Sequence, residues 1–217
     1  RRNRAGAWAP LALALLFAVL TAQRSPAWGH DRLRNADTVR HYPRFARPHL
    51  SLGAVYEHLG LTGLSEVEYR RAVALRPDSG EARSYHANLL VALGQTDQAM
   101  AVIGTGIQVD PDAPRLWQSL ARALARQGNS ARSEAAWGWS LHIEGKDAAA
   151  LARLESAAAL SPQDPSVLVP LAYVQEASGQ PEAAQQTWGR VLRLRPDADE
   201  AREALRRLQT TGPPPAP

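Results

Sequence analysis

The stretch LGAVYEHLGLTGLSEVEYRRAVALRP, residues 52–77, decides the fold of this chain. The stretch ends with Pro77, and prolines at corresponding places follow at intervals of 34, 51 and 34 residues: Pro111, Pro162 and Pro196. Because 51 is one and a half times 34, the chain is built in units of one helical hairpin, with a half unit in the middle. The sequence therefore predicts an all-α repeat protein.

Small and large apolar residues recur at matching places in these units. In the first unit they are Leu52, Gly53, Tyr56, Gly60, Ser65, Tyr69, Ala72 and Pro77. Further units run from Gly80 to Ala113 and from Pro165 to Ala198. The pattern resembles the tetratricopeptide repeat (TPR) family, with one departure at Gln175, where that family usually has a large apolar residue. The resemblance implies a solenoid in which neighbouring hairpins share one core.

Glycines and prolines mark the ends of the predicted helices. The glycines expected to end helices in the left-handed conformation are Gly60, Gly94, Gly128, Gly145 and Gly179. Each closing proline stops a second helix because it lacks an N–H. Gly104 and Gly106 lie inside a predicted second helix, where each lowers helix propensity by about 1 kcal/mol. We expect both to permit close helix packing.

Two hairpin frames overlap in the middle of the chain, residues 114–147 and residues 131–164. We prefer the second frame because the first would need a proline where Gly145 stands. In the second frame the helix at residues 131–143 is the first of a hairpin. In the first frame the same helix is the second helix of a hairpin. The sequence therefore leaves open whether it pairs with the helix before it or with the helix after it.

The preferred frame predicts about four hairpins and two single closing helices, at residues 114–127 and 199–209. The repeats would then form two similar halves, residues 46–127 and 131–209, because a closing helix covers the last apolar face of a solenoid. The alternative is one continuous superhelix with an odd helix inserted.

The amino-terminal residues differ from the repeats. A basic flank, residues 1–4, precedes eighteen uncharged residues, 5–22, whose helical length of about 27 Å nearly matches the roughly 30 Å hydrocarbon core of a bilayer. This stretch is predicted to be a transmembrane helix or a signal peptide. Because the chain does not begin with methionine, we expect the last span of a larger membrane protein. A linker, residues 23–45, follows, and a proline-rich tail, residues 210–217, is predicted to be disordered.

Arginines before the apolar stretch favour a cytoplasmic start, which places the repeats on the extracytoplasmic side, in the periplasm if the protein is bacterial. The junction residues are Arg24, Trp28, Leu33, Pro43, His49, Leu52 and Gly53. Their spacing resembles the transmembrane and TPR-containing protein O-mannosyltransferase family and its bacterial relatives. In that family the catalytic acidic residues lie among earlier spans. No catalytic role therefore carries over to this chain.

Charge and composition argue against several classes of function. Residues 1–45 carry a net charge of +6 from eight arginines and two aspartates, so the remainder of the +4 chain carries −2. The repeats have no basic stripe for a phosphate backbone, and we expect no nucleic-acid partner. Cysteine is absent, and the six histidines show no helical ligand spacing with a carboxylate partner. We expect no catalytic, cofactor-binding or metal-binding residue.

Binding is then the predicted activity, in the groove that the first helices line in the TPR family. The candidate groove residues are Arg47, His58, Asn88, Arg115, Gln118, Arg122, Arg126, Trp139, His142, Tyr173 and Glu176. The same alignment with the TPR pattern predicts that further first-helix positions are exposed in the groove: Leu50, Glu57, Ser84, Val91 and Val169.

Three candidates stand out among them. Arg122 and Arg126 lie one helical turn apart and either grip an acidic segment or form a solvated face. Trp139 is an anchor if its helix is the first of a hairpin and a core residue if it is the second.

The sequence therefore predicts a non-catalytic scaffold that binds a protein or peptide segment and is tethered to a membrane through residues 5–22. Two alternatives stay open. One is the carboxy-terminal TPR region of a polytopic O-mannosyltransferase-like glycosyltransferase, and the other is a singly anchored TPR factor of the cytochrome c assembly type.

Overall fold

The computed structural model describes residues 31–210. The predicted apolar stretch at residues 5–22, the junction residues Arg24 and Trp28, and almost all of the tail lie outside the described residues. Between residues 31 and 210 helices alternate with short turns and no strand is present, which confirms the predicted all-α fold of helical hairpins. Within that range no helix is both long and apolar enough to cross a bilayer.

The chain divides into two compact units, with the boundary between Pro77 and Asp78. The described part of the first unit begins with helical residues 31–41. Two helices follow, α1 (Ala46–His58) and α2 (Thr62–Leu75), and they pack against each other as a hairpin.

The core of the first unit explains the glycine in its repeat pattern. Leu52 and Tyr69 are buried, and the Tyr69 ring lies over Gly53. A Cβ atom at Gly53 would stand 2.6 Å from Tyr69 Cδ1. Only glycine lets the ring approach this closely, and the hairpin depends on that approach. Tyr56 of the repeat pattern is partly buried, as is Leu75 at the end of α2.

The second unit contains eight helices within the described residues. They are α3 (Gly80–Ala92), α4 (Thr96–Val109), α5 (Pro114–Arg126), α6 (Ser130–Ile143), α7 (Asp147–Leu160), α8 (Pro165–Ala177), α9 (Pro181–Leu194) and α10 (Asp199–Thr210). Every helix packs against the next one along the chain, and α3 also contacts α5, as α6 contacts α8. These contacts stack the successive hairpins of this unit against each other.

Buried apolar clusters run through the second unit and join successive helices. One cluster, which includes Ile103 and Ala123, joins α3, α4 and α5. A second joins α6, α7 and α8 around Leu154. A third, around the fully buried Trp188, joins α8, α9 and α10. Because each cluster draws on residues of three helices, no hairpin in this unit completes its core alone.

The five turn glycines adopt the predicted conformation. Gly60, Gly94, Gly128, Gly145 and Gly179 have φ values between 71° and 77°. At these positions a side chain would strain the backbone, so the glycines fix where the preceding helices end.

The expectation that both helical glycines permit close packing is wrong for Gly104. Nothing lies within 4 Å of a Cβ atom built at Gly104, whereas one at Gly106 would stand 2.9 Å from Leu116 Cδ1. Residues two apart on a helix point about 200° apart, so only one of the pair can face the neighbouring helix.

Gln175 departs from the repeat pattern without leaving a buried polar group unsatisfied. Its side chain is buried in α8, and its Oε1 accepts a hydrogen bond of 2.8 Å from Thr187 Oγ1 on α9. A matched polar pair thus replaces the usual apolar contact at this place. Such a pair holds only if both partners are present.

Helix α6, whose pairing the sequence left open, packs on three neighbours: α5, α7 and α8. Ser133 Oγ donates a buried hydrogen bond of 2.9 Å to the carbonyl of Ala121 on α5. The contact with α8 is the one that first helices of successive hairpins make. The division of the repeats near residues 127–131 stays a prediction.

Candidate functional site

A cavity of about 620 Å³ lies among the helices of the second unit. Its wall is mostly apolar and comes from α4, α5, α6 and α8, with one residue from α10. The apolar lining residues are Met100, Trp117, Leu120, Leu124, Ala135, Ala136, Trp139, Val169, Pro170 and Tyr173, with Pro111 and Pro165 at the helix ends.

Three aromatic rings cross this wall in a row. The Trp117 and Trp139 ring centroids are 6.1 Å apart, and those of Trp139 and Tyr173 are 5.9 Å apart, both in edge-to-face geometry. The buried Trp188 lies behind the row. Its ring centroid is 5.0 Å from that of Tyr173, in edge-to-face geometry. Edge-to-face pairs of this kind are favourable beyond the area that they bury, so each ring stabilises the orientation of its neighbour.

Hydrogen bonds fix Trp117 at one end of the row and Trp188 behind the other end. Trp117 Nε1 donates to the carbonyl of Pro111 at 2.7 Å, and Trp188 Nε1 donates to Glu176 Oε1 at 2.6 Å. The other oxygen of Glu176 accepts from Arg207 Nη2 at 2.9 Å. The aromatic wall is therefore positioned before any ligand arrives.

Arg132, which lines the cavity, forms an ion pair with Asp164. Arg132 Nε donates to Asp164 Oδ2 at 2.7 Å, while Asp164 Oδ1 accepts from the backbone N–H of Ser166 at 2.9 Å and caps α8. Burial acts to raise the pKa of Asp164, but the hydrogen bonds from Arg132 and Ser166 outweigh it and lower the pKa below 3.8. The carboxylate is therefore ionised at neutral pH.

Tyr173 is the exposed member of the aromatic row, at 36% exposure. Burial of part of its ring raises the pKa of its phenol, and the negative charges of Glu200 and Glu176 raise it further. Glu200 itself lines the cavity and accepts from Arg195 Nη2 at 2.7 Å. Tyr173 consequently keeps its proton near neutral pH and can donate a hydrogen bond to a ligand.

A family model described as tetratricopeptide repeat matches residues 66–124 and 141–209. The matched residues make up more than half of the 217-residue chain. The chain belongs to the tetratricopeptide repeat family. No catalytic family is indicated, and a comparison with curated protein sequences found no match.

Solved TPR structures are similar to the chain at low sequence identity. A TPR protein from Parabacteroides merdae shares 17% identity with a TM-score of 0.46, and the match covers 93% of this chain and 86% of that one. YrrB, described as a TPR protein with an unusual peptide-binding site, shares 13% with a TM-score of 0.41, covering 79% and 97%.

A chain of the APC/C hetero-tetramer Cut9–Hcn1 is also similar, with 18% identity, a TM-score of 0.36 and coverage of 85% of this chain. This chain spans 46% of the length of that one.

The TPR groove candidates are distributed over several surfaces. The cavity wall contains Trp139, Tyr173 and Val169. At its margin Glu176 supports Trp188, and the ring of His142 lies 5.1 Å from that of Trp139. The candidates of the first unit, Arg47, Glu57 and His58, are exposed there.

Two polar candidates, Gln118 and His142, contact residues beyond their own helices. Gln118 donates to Ser140 Oγ at 3.1 Å and to Glu144 Oε1 at 3.0 Å. His142 Nδ1 lies 2.6 Å from Asp147 Oδ1. These contacts join α5 to α6 and α6 to α7.

The arginine candidates behave differently from one another. Arg122 Nη1 donates to Asn88 Oδ1 at 3.1 Å, and its guanidinium lies 5.7 Å from the centre of the Trp137 ring. The guanidinium of Arg115 lies 5.9 Å from the Tyr85 ring centre, and Arg126 is exposed. In this structure Arg122 thus serves packing and hydrogen bonding between helices.

Three of the additional positions that the sequence predicts to be exposed are buried. Leu50, Ser84 and Val91 have exposures of 8%, 2% and 7%, so the expectation that they face a ligand is wrong. Val91 packs in the cluster that contains Ala123 of α5, so the next first helix covers it. Position in a first helix does not by itself give exposure, because successive first helices also contact each other.

Sequence reasoning missed the α5 side of the cavity, formed by Trp117, Leu120 and Leu124. These residues fit the repeat pattern of the frame at residues 114–147. Their signal is the half unit after Pro111, which puts the aromatic residue of α5 opposite that of α6.

Proposed function

We propose that this chain is a non-catalytic TPR scaffold that binds an apolar peptide segment of a partner protein in the cavity lined by Trp117, Trp139 and Tyr173. The observation that carries the proposal is the apolar cavity of about 620 Å³ with its fixed row of aromatic rings. Binding pockets commonly measure about 300–1,000 Å³ and combine an apolar wall with a few polar groups.

The arginines at the cavity edge favour a segment without acidic side chains. The charges of Arg132 and Arg195 are each matched by a carboxylate at 2.7 Å, from Asp164 and Glu200 respectively. A buried carboxylate of the ligand would find both guanidinium groups already paired and would lose its hydration without a partner. Large apolar side chains against the rings, with a backbone carbonyl near the Tyr173 hydroxyl, fit this arrangement best.

The test pans a phage-displayed peptide library on the full chain and measures the affinity of the enriched peptides. We expect peptides with two or more large apolar residues. Tyr173→Ala should weaken their binding by about 30-fold, the effect of removing a strong interface residue. The matched control is Tyr42→Ala, which removes an exposed tyrosine of the first unit and should leave affinity unchanged. Enrichment of no peptide, or equal effects of both substitutions, would contradict the proposal.

We further propose that residues 5–22 tether the scaffold to a membrane with the repeats on the extracytoplasmic side. This proposal is supported by the eighteen uncharged residues, which follow three arginines in the sequence. The full chain should then stay with the membrane fraction at alkaline pH, and a protease added outside the cytoplasm should cleave the repeats. Release at alkaline pH, or protection from that protease, would contradict it.

The O-mannosyltransferase-like alternative is supported by the junction residues. Two of them, Pro43 and His49, contact each other, since His49 Nε2 lies 3.1 Å from the Pro43 carbonyl. The coding sequence upstream of Arg1 distinguishes the alternatives. Several further apolar spans with an acidic external loop would favour the transferase, whereas an immediate start codon would favour a single anchor of the assembly-factor type.

A further inference from the structure

Two aromatic side chains of the first unit point into solvent next to each other. Tyr42 is 56% exposed and Phe45 is 63% exposed, and their ring centroids are 6.1 Å apart at an interplanar angle of 79°. They border a shallow hollow of about 390 Å³ that Arg47 and Ser51 also line. A single exposed aromatic residue needs no explanation, but an adjacent pair is an apolar patch.

The turn that carries this pair is held in place by the hairpin α1–α2. The backbone N–H of Phe45 donates to the Tyr42 carbonyl at 3.2 Å, which closes the turn. His49 is buried in α1 and stands between two oxygens, at 3.1 Å from the Pro43 carbonyl and at 2.6 Å from Glu68 Oε2. The aromatic pair is therefore presented by a fixed turn.

Positive charge surrounds the pair. Residues 31–47 contain five arginines and two aspartates, a net charge of +3 with neutral histidine. Arg40, Arg44 and Arg47 are exposed, and none of them forms an ion pair with another residue in the described range 31–210. Of the two aspartates, Asp31 is already paired with Arg34 at 2.7 Å.

We propose that this basic aromatic turn, formed by Arg40, Tyr42, Arg44, Phe45 and Arg47, binds the surface of an anionic phospholipid bilayer. Aromatic rings favour the interface between water and hydrocarbon, and arginines beside them bind lipid phosphates. The edge-to-face rings leave no slot between them for a stacked base, which favours lipid over nucleic acid.

The inference goes beyond the peptide site and does not require the tether. If residues 5–22 do enter a bilayer, Ala22 and Arg32 are ten residues apart, and the connecting chain spans at most about 35 Å. Helical residues 32–41 add about 15 Å, so the turn would stay within about 50 Å of the membrane surface, which raises its effective concentration there.

The experiment uses the absence of cysteine from the full chain. Ser51→Cys, labelled with a polarity-sensitive fluorophore, reports from the same hollow as the aromatic pair. Vesicles of phosphatidylcholine, with or without roughly 30% phosphatidylglycerol, are added at moderate salt. We expect a blue shift that requires phosphatidylglycerol and weakens as salt is raised, since salt screens exposed charges.

Charge-removing variants provide the control. Arg44→Gln with Arg47→Gln should raise the vesicle concentration for half-maximal response by about 30-fold, because each arginine near an anionic surface contributes about a factor of five. Arg70→Gln with Arg71→Gln removes the same charge from exposed positions of α2 and should change it by less than about threefold. Circular dichroism checks that each variant keeps its helices.

Three results would overturn the inference. They are an equal blue shift with phosphatidylcholine alone, an equal loss in the α2 control, and an equal response to an oligonucleotide at the same phosphate concentration. Sedimentation with phosphatidylcholine vesicles reports on the tether separately, because a transmembrane helix needs no anionic lipid.

Discussion

A pair of glycine-to-alanine substitutions tests the helix packing of the second unit. Gly104 on α4 is open to solvent, with no atom within 4 Å of a built Cβ atom. Gly138 on α6 faces α7, and its Cβ atom would stand 2.7 Å from Leu154 Cγ and 3.1 Å from the Ala150 carbonyl oxygen. The second contact is with backbone, which cannot move aside as a side-chain tip can.

The expected magnitudes follow from these two environments. Alanine in a helix interior is about 1 kcal/mol more favourable than glycine, and this gain applies at both sites. At Gly138 an overpacking cost of about 1–3 kcal/mol opposes it. Gly104→Ala should therefore stabilise the protein by up to about 1 kcal/mol, and Gly138→Ala should be less stable than Gly104→Ala by about 1–3 kcal/mol.

The assay is urea unfolding of the full chain followed by helical circular dichroism, with the slope m checked for constancy among variants. Equal stabilisation by both substitutions would refute the packing of α6 against α7 described above. It would mean that Gly138 does not face Leu154.

The remaining predictions concern stability. Leu52→Ala should lower the free energy of unfolding by about 2–5 kcal/mol, because Leu52 is only 3% exposed; a loss below about 0.5 kcal/mol would count against the first hairpin. Thr187→Val should cost about 1–3 kcal/mol by leaving the buried Gln175 amide without its partner, and adding Gln175→Leu should recover part of that loss; no recovery would argue against the pair. Because the folded pKa of Asp164 is depressed, its stabilising contribution is full above 3.8 and is lost as the pH falls through the folded pKa. Arg132→Gln should thus lower the unfolding midpoint at about pH 6 and have a smaller effect at about pH 2, as urea titrations at both values would reveal; an equal effect at both would contradict the ion pair.

The repeat pattern predicts local structure well because its signals are local. A positive φ at Gly60 or Gly179 and a proline after each second helix depend on a few neighbouring residues. The buried Tyr69 over Gly53 also follows from the pattern, since a small residue opposite a large one marks where two helices meet.

The candidate site was harder to predict because it depends on which helices become neighbours. Both hairpin frames fit the middle of the sequence, so the contact of Trp117 with Trp139 across α5 and α6 was not apparent. Trp139 and Tyr173 were predicted as groove residues, whereas Leu50 and Val91 are buried. Periodicity gives the face of a helix, but exposure is decided by the stacking of successive hairpins.

The most direct test of the peptide site is site-specific photo-cross-linking with a peptide selected on the full chain. A photoreactive amino acid replaces Val169, which lines the cavity, or Leu160, which is 58% exposed and lies outside it. We predict a cross-linked product from position 169 and none from position 160. Equal cross-linking at both positions, or a product from position 160 alone, would contradict binding in the cavity.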